Sequence, residues 1–314
     1  MNCFKKINKK TIDFRGDKCY NIQKDATSNK RGNTMRIINS DFIEETVREM
    51  CMEANFSLPC DMRKAISNFK KSEKSDIAVK ILDSIEENYR IAMEKKIPIC
   101  QDTGMAVFFV DIGNEVYVEG ETLTDAINNG VRKGYRDGYL RKSVVADPIF
   151  RENTGDNTPA VIHYSFSKGD KLKITIIPKG FGSENMSAIK MFAPSAGVDA
   201  IKKFVVETAD SAGSNPCPPI VVGVGIGGDF ESCAMLAKKA LAREAGSHNP
   251  NSFYSELEEE ILNLINRTGI GPQGFGGTTT ALSVNIETAP THIASLPCAV
   301  NISCHASRHL CTII

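Results

Sequence analysis

The chain has 314 residues, of which 41% are hydrophobic and 24% are charged, proportions typical of a soluble globular protein. Its formal net charge of zero argues against a general role in binding nucleic acids or anionic membranes. No apolar run approaches the roughly 20 residues that a membrane span needs. Ten cysteines without a secretory signal favour free thiols or metal ligands over disulfides, so we predict a cytoplasmic protein.

The first 34 residues differ in character from the rest of the chain. Lys and Arg outnumber acidic residues there, and no apolar periodicity is present. This composition predicts a disordered basic extension over 1–34, followed by one domain over 35–314. Asp13, Asp17 and Asp25 argue against a transit peptide.

The next part of the chain has the spacing of helices. Apolar residues at helical intervals predict a helix that starts near Ser40, which we assign to its N-cap region, and that ends at Pro59. Two more helices are predicted over 61–71 and 74–94. The domain therefore begins with a helical layer.

Strand patterns follow this layer. The runs "MAVFFVDIG" (105–113) and "VYVEG" (116–120) predict strands joined by a Gly-Asn-Glu turn. A helix is predicted over 121–138. The stretch "PAVIHYSFSKGDKLKITIIPKG" (159–180) predicts a β-hairpin with Lys-Gly-Asp at its turn.

The remaining elements alternate irregularly. The pattern predicts helices over 196–211, 229–244 and 252–269, and strands over 218–225, 278–289 and 297–304. We predict a mixed α/β (α+β) fold, in which a helical N-terminal layer precedes antiparallel or mixed sheets flanked by helices.

A glycine-rich turn offers one functional hypothesis. Gly223, Gly225 and Gly228 match the G-x-G-x-x-G pattern between a strand and a helix, and Glu244 lies 21 residues after the first glycine. That pattern is typical of dinucleotide binding. However, the strand does not open a βαβ series. The alternative is a tight turn in which the glycines permit close backbone approach.

The cysteines offer a second hypothesis. Cys100, Cys217 and Cys304 each lie at the boundary of a predicted strand beside polar, Gly or Pro residues, whereas Cys51 and Cys233 lie on predicted helices as core thiols. The spacing matches no C-x-x-C zinc or ferredoxin pattern, so from spacing alone metal ligands and ordinary thiols both remain possible.

Neighbouring residues strengthen the metal hypothesis. His292 lies at a probable strand end, and Gln101 and Asp102 directly follow Cys100. The Gly-rich segment "PKGFGSEN" (178–185) offers backbone N–H groups as an anion cradle. Arg141 is a candidate for binding a carboxylate through paired hydrogen bonds.

Six segments together resemble a known family. They are "PICQDTG" (98–104), "RENTGDNTPA" (151–160), "PKGFGSENMS" (178–187), "NPCPPIVVGVGIGG" (215–228), "GIGPQGFGGTTTAL" (269–282) and "PTHIASLPCAVNISCHASRH" (290–309). In this order they resemble the alpha subunit, or N-terminal half, of iron–sulfur class I hydro-lyases. This family comprises class I fumarate hydratases and L(+)-tartrate dehydratases.

The resemblance implies a [4Fe-4S] cluster bound by Cys100, Cys217 and Cys304. Three protein thiolates leave one iron without a protein ligand, and an open coordination position makes a metal a Lewis acid. A cluster with four cysteine ligands could only transfer electrons, which is the chemistry of a non-catalytic iron–sulfur module.

The resemblance also implies roles for the polar residues. Asp102 and His292 are expected in catalysis, as proton-transfer groups or their orienters. Binding of a small dicarboxylate is expected from Gln101, Arg141, Gly180 and Gly182. We expect reversible hydration of fumarate to L-malate, with dehydration of L(+)-tartrate to oxaloacetate as the alternative.

The single-chain relatives implied by this resemblance carry a further C-terminal domain that completes the active site. This chain stops soon after "SRH" (307–309). We therefore expect a separate beta subunit, pairing of alpha chains, and an α2β2 assembly.

Overall fold

The computed structural model describes residues 35–314 together with the backbone of Ile22–Gln23. The predicted disordered extension over 1–34 otherwise lies outside the described residues. Within the described part of the chain, no helix is both long enough and apolar enough to cross a bilayer.

The helices largely follow the predicted periodicity. They are α1 (Ser40–Phe56), α2 (Cys60–Ser72), α3 (Asp76–Lys95), α4 (Leu123–Asp137), α5 (Phe181–Glu184), α6 (Gly197–Ala212), α7 (Phe230–Ala240) and α8 (Ser252–Asn266). One boundary was assigned to the wrong residue. The N-cap of α1 is Asn39, whose side chain accepts a hydrogen bond from the Asp41 N–H, and Ser40 already belongs to the helix.

The strands form three sheets. They are β1 (Ile22–Gln23), β2 (Arg36–Asn39), β3 (Met105–Gly113), β4 (Val116–Glu119), β5 (Val161–Ser167), β6 (Leu172–Lys179), β7 (Ala188–Phe192), β8 (Ile220–Gly228), β9 (Ala281–Thr291), β10 (Leu296–Ser303) and β11 (Leu310–Ile313). The first sheet has the order β1-β11-β6-β3-β5, the second has the order β7-β10-β8-β9, and β2 pairs with β4.

The predicted hairpin over 159–180 is wrong. Both of its strands exist, but β3 lies between them, parallel to β5 and antiparallel to β6. Two strand spacings, about 10 Å, therefore separate β5 from β6. The connecting residues 168–171 cross the end of β3, where the Gly113 N–H donates to the Lys171 carbonyl and the Glu115 N–H donates to the Gly169 carbonyl, each at 2.9 Å.

The second sheet is mixed, because β8 pairs parallel with β9 and antiparallel with β10. Its central strand β8 carries the glycine-rich pattern. A Cβ atom on Gly225 would lie 2.0 Å from the Cys233 carbonyl oxygen, and one on Gly223 would lie 2.1 Å from that of Ala237. These two glycines allow α7 to pack directly onto β8, which is the close backbone approach named as the alternative to nucleotide binding.

Two buried apolar cores hold helices against the two larger sheets. Buried residues of α1 and α4 pack with the first sheet, and buried residues of α6 and α8 pack with the second sheet. α7 packs onto the second sheet, where its Cys233 and Ala237 form a small buried cluster with Ala299 of β10. A third cluster joins α2 and α3 to β8 and β9. The helical N-terminal layer and the mixed α/β class are thus confirmed.

Candidate functional site

One edge of the first sheet positions two of the segments singled out in the sequence. β3 begins at Met105, directly opposite Lys179 at the end of β6, because the two strands are antiparallel. The loop 100–104 that precedes β3 therefore meets the Gly180 turn that follows β6. A Cβ atom on Gly104 would lie 2.7 Å from the Lys179 carbonyl carbon, so the two backbones touch.

One edge of the second sheet positions the other two cysteine segments. Ser303, the last residue of β10, pairs with Val221 near the start of β8. Cys304 and Cys217 therefore project from the same edge of this sheet. The His305 N–H donates to the Cys217 carbonyl at 3.3 Å, which joins the two segments directly.

The segments that carry the three predicted thiols lie where these edges meet. Cys100 and Cys217 are exposed and Cys304 is half-buried. Burial raises the pKa of Cys217, and the neighbouring Cys304 and Cys100 raise it further. Among the described residues, no three His, Cys, Asp or Glu side chains converge closely enough to hold a single metal ion.

Asp102 lies beside these thiols with a fixed carboxylate. Its Oδ2 accepts a hydrogen bond from the Phe181 N–H at 2.9 Å, and its Oδ1 accepts one from the Gly104 N–H at 3.0 Å. A Cβ atom on Gly180 would lie 3.0 Å from Oδ2. The absence of a side chain at Gly180 thus allows the carboxylate to face the start of α5.

Arg308 is a buried cation behind the site, only 2% exposed. Its guanidinium donates to the Asn55 side-chain oxygen at 2.8 Å and to the Asp102 carbonyl at 2.9 Å. Burial raises the pKa of the Cys304 thiol, while Arg308 and Lys179 act in the opposite direction. Arg308 therefore supports the loop of Asp102 and favours the thiolate form of Cys304.

Lys179 is a second buried cation, 1% exposed, that sequence reasoning missed. Its ammonium group donates to the Ser183 hydroxyl at 2.9 Å and to the Gly180 carbonyl at 3.1 Å, and it lies 3.2 Å from a Glu184 carboxylate oxygen. Burial lowers the pKa of Lys179 to about 8, against the opposing effect of Glu184. The "PKGFGSEN" segment was interpreted only through its backbone N–H groups, although its lysine was a visible signal.

Glu184 is the acidic partner of the buried Lys179. Burial raises its pKa, but Lys179 and Lys238 lower it more, so the net pKa lies below the ordinary value. It forms an ion pair with Lys238 and accepts a hydrogen bond from the Asn301 side-chain amide at 2.9 Å. The contacts of the buried lysine with the Gly180 carbonyl, the Ser183 hydroxyl and this carboxylate fix the geometry of the turn that carries Gly180.

The remaining predicted substrate residues lie around the same edges. Gln101 and Arg141 are exposed, and the Thr103 hydroxyl donates to the Arg141 carbonyl at 3.1 Å. Gly182 is exposed within α5, and a Cβ atom there would lie 3.9 Å from the Asn215 carbonyl oxygen, in the segment of Cys217. These contacts place Arg141 beside the segment of Cys100 and Gly182 beside the segment of Cys217.

His292 is the exception. It follows β9, whose Thr291 hydroxyl donates to the Gly228 carbonyl at 2.8 Å at the far end of β8. Cys217 precedes the opposite end of β8. The length of this strand, about 25 Å, therefore separates His292 from Cys217 of the same chain. The His292 side chain is exposed there, and its Nδ1 accepts a hydrogen bond from the Ala294 N–H at 3.2 Å.

Glu73 anchors the glycine-rich segment that follows α8. Its carboxylate accepts hydrogen bonds from the Thr279 hydroxyl at 2.6 Å and from the Thr278 N–H at 3.0 Å. It also accepts bonds from the Lys74 N–H at 2.8 Å and the Ser75 N–H at 3.1 Å. Burial raises the pKa of Glu73, but these donors lower it more, to about 2.

The low pKa of Glu73 predicts a pH-dependent contribution to stability. Because the pKa falls from 4.5 to about 2 on folding, the contribution is present above pH 4.5 and is lost as the pH falls through about 2. In chemical denaturation, we expect Glu73→Gln to lower the free energy of unfolding at pH 7 and the deficit to shrink towards pH 3. The exposed Glu259→Gln is the control; a deficit that stayed constant with pH would contradict the prediction.

Comparison with known proteins gives consistent matches. The sequence model of the fumarate hydratase (Fumerase) family matches residues 44–312 of this chain. A protein of Methanocaldococcus jannaschii with the provisional name L(+)-tartrate dehydratase subunit alpha is 44% identical over 272 residues, which cover 85% of this chain and 95% of that protein. L(+)-tartrate dehydratase subunit alpha of Escherichia coli (strain K12) is 32% identical over 271 residues, 85% of this chain and 88% of that protein.

Proposed function

This chain belongs to the fumarate hydratase (Fumerase) family and is a hydro-lyase, and we propose that it is the alpha subunit of an enzyme that reversibly hydrates fumarate to L-malate. The observation that carries the proposal is the family match over 44–312. It is supported by the position of the three thiol-bearing segments at the edges of two sheets. Sequence similarity supports the reaction class, and the arrangement of side chains supports the site.

The donor set fits a [4Fe-4S] cluster. Cys100, Cys217 and Cys304 would hold it, and two of these thiols are exposed at the site. A four-iron cube spaces its ligands more widely than one ion does, so three thiols that suit no single ion remain compatible with it. When bound, the cluster would supply an iron without a protein ligand that acts as a Lewis acid on the substrate. Free thiols of this kind need a reducing compartment, so we assign the chain to the cytoplasm.

The chain's own residues supply binding and proton transfer. Hydration adds hydroxide to one alkene carbon and a proton to the next; dehydration removes the proton from a carbon beside a carboxylate, which requires a positioned base. We assign that base, or its orienting group, to Asp102, whose carboxylate is oriented by the Phe181 and Gly104 N–H groups. Arg141 and Gln101 are exposed next to it and are suited to bind the substrate carboxylates.

The substrate L(+)-tartrate is a second candidate. The relatives at 44% and 32% identity are both named as tartrate dehydratase alpha subunits. Malate and tartrate differ by one hydroxyl group, and a site built to hydrogen-bond a hydroxyl discriminates strongly against an analogue that lacks it. A direct comparison of the two substrates therefore distinguishes the candidates.

We propose a beta subunit and pairing of two alpha chains, in an α2β2 assembly. The alpha-subunit names of the relatives support a two-subunit enzyme. The position of His292 supports pairing of alpha chains, because β8 separates it from Cys217 of its own chain by about 25 Å. His292 could take part in catalysis only at the site of a second alpha chain.

An anaerobic assay tests the proposed function. The chain is purified alone and co-expressed with its beta subunit, and both samples are assayed on malate and on L(+)-tartrate. We expect turnover only in the presence of the beta subunit, with a higher kcat/KM for malate. Preference for tartrate would establish the second candidate, and full activity of the chain alone would contradict the two-subunit proposal.

A further inference from the structure

The glycine-rich segment 269–277 lies against the turn that carries Cys217, and the proposed reaction leaves it without a role. Two donors of Gln273 converge on one acceptor in that turn. The Gln273 backbone N–H and its side-chain Nε2 both donate to the Pro218 carbonyl, each at 2.7 Å. A carbonyl oxygen has two lone pairs, so this acceptor is fully used.

Cys217 has a backbone conformation that needs such support. Its φ is +54°, in the left-handed region that is disfavoured for residues with a side chain. Its N–H donates to the Ser214 carbonyl at 3.0 Å, and its carbonyl accepts from the His305 N–H at 3.3 Å. The Gln273 bonds hold the next residue, Pro218. Residues in sparsely populated conformations persist only where their surroundings hold them.

Gln273 is itself held in place. It also has a φ of +54°. A Cβ atom on Gly274 would lie 2.5 Å from the Ser214 Cβ, and one on Gly271 would lie 1.9 Å from the Gly276 carbonyl oxygen. The loop therefore packs against its own chain and against the turn of Cys217, while Glu73 anchors its far end.

We propose that Gln273 is a positioning residue for Cys217, an inference that rests on the proposed function. Its paired hydrogen bonds fix the Pro218 peptide, which holds the Cys217 backbone in its left-handed conformation and thereby directs the thiol towards Cys100 and Cys304. Loss of the side-chain bond leaves only the backbone bond to hold this turn, so a bound cluster should lose iron faster.

Two substitutions remove the bond in different ways. Gln273→Met keeps the length of the side chain without a donor, and Gln273→Glu places a carboxylate against the Pro218 carbonyl oxygen. Phe275→Ala is the matched control, because Phe275 belongs to the same loop and is 68% exposed. The first readout is the rate at which an iron chelator removes the cysteine-bound iron from the anaerobically reconstituted chain, counted after loss of the iron that has no protein ligand.

We expect iron loss to be about threefold to tenfold faster in Gln273→Met than in the wild type, and faster still in Gln273→Glu, whereas Phe275→Ala matches the wild type. The second readout is hydrogen–deuterium exchange of the metal-free chains. Exchange should increase in the peptide that covers residues 213–221 and stay unchanged in α1 and α8, which distinguishes local positioning from a general loss of stability.

The outcomes separate this inference from the proposed function. A wild-type chain that incorporates no iron or sulfide overturns both. A wild-type chain that holds its cluster, with Gln273 variants that lose iron at the wild-type rate, overturns only the positioning role. Faster exchange throughout the Gln273 variants also overturns it, because the effect would then be one of overall stability.

Discussion

We expect Cys217→Ser to abolish iron and sulfide binding and to lower turnover of the complete enzyme about a thousandfold or more. A serine hydroxyl is a much poorer iron ligand than a thiolate, and the Lewis acid that activates the substrate contributes several kcal/mol to the rate. The fold should survive, because Cys217 is exposed and the free energy of unfolding of metal-free protein should change by about 0.5 kcal/mol or less. Iron and sulfide analysis of anaerobically reconstituted protein measures the effect.

The matched control is Cys60→Ser. Cys60 is a half-buried free thiol that begins α2 and is not one of the three predicted ligands. It should retain the iron and sulfide content of the wild type. Equal cluster content in Cys217→Ser and Cys60→Ser would refute the assignment of the ligands, as would loss of the cluster in both.

We expect Asp102→Asn to lower kcat by about 10² to 10⁴ and to keep the iron content of the wild type. The asparagine amide is a poor base, and its nitrogen cannot accept the hydrogen bond that one of the Phe181 and Gly104 N–H groups donates to the carboxylate. Steady-state kinetics with malate, together with iron analysis, separate a catalytic loss from a loss of metal. The exposed Asp170→Asn serves as the control.

The pH dependence of the same variant gives an independent check. If Asp102 transfers the proton, the limb of the kcat profile that reports the base should be absent in Asp102→Asn. A parallel fall in kcat and in iron content would instead assign Asp102 a role in holding the site together.

Local sequence patterns predicted the positions of helices and strands better than they predicted which strands pair. Helical periodicity located α1 and α3 closely, and apolar runs located β3, β8 and β10. The hairpin prediction failed because β3, more than 40 residues earlier in the chain, takes the place between β5 and β6. Pairing between distant segments depends on which strand is buried in the sheet centre, and this information is not present in a turn sequence.

The residues of the candidate site were also predictable only in part. The motifs predict Cys100 and Asp102 as site residues, and the structure places the Asp102 carboxylate against the Phe181 N–H at the end of β6. Arg308 and Lys179 acquire their importance from burial, which a single charged letter does not reveal. The distance of His292 from the thiols depends on strand direction, because β8 and β9 run parallel and carry their ends away from Cys217.

The meeting of two sheet edges has a consequence for how the enzyme is matured. Of the three proposed ligands, one thiol follows the edge of the first sheet and two lie at the edge of the second, in three distant parts of the sequence. No short peptide contains the complete ligand set, so the polypeptide must fold before iron and sulfide can be inserted. Because hydrogen bonds within the protein hold these loops, the folded metal-free chain keeps the proposed ligands ready for iron and sulfide.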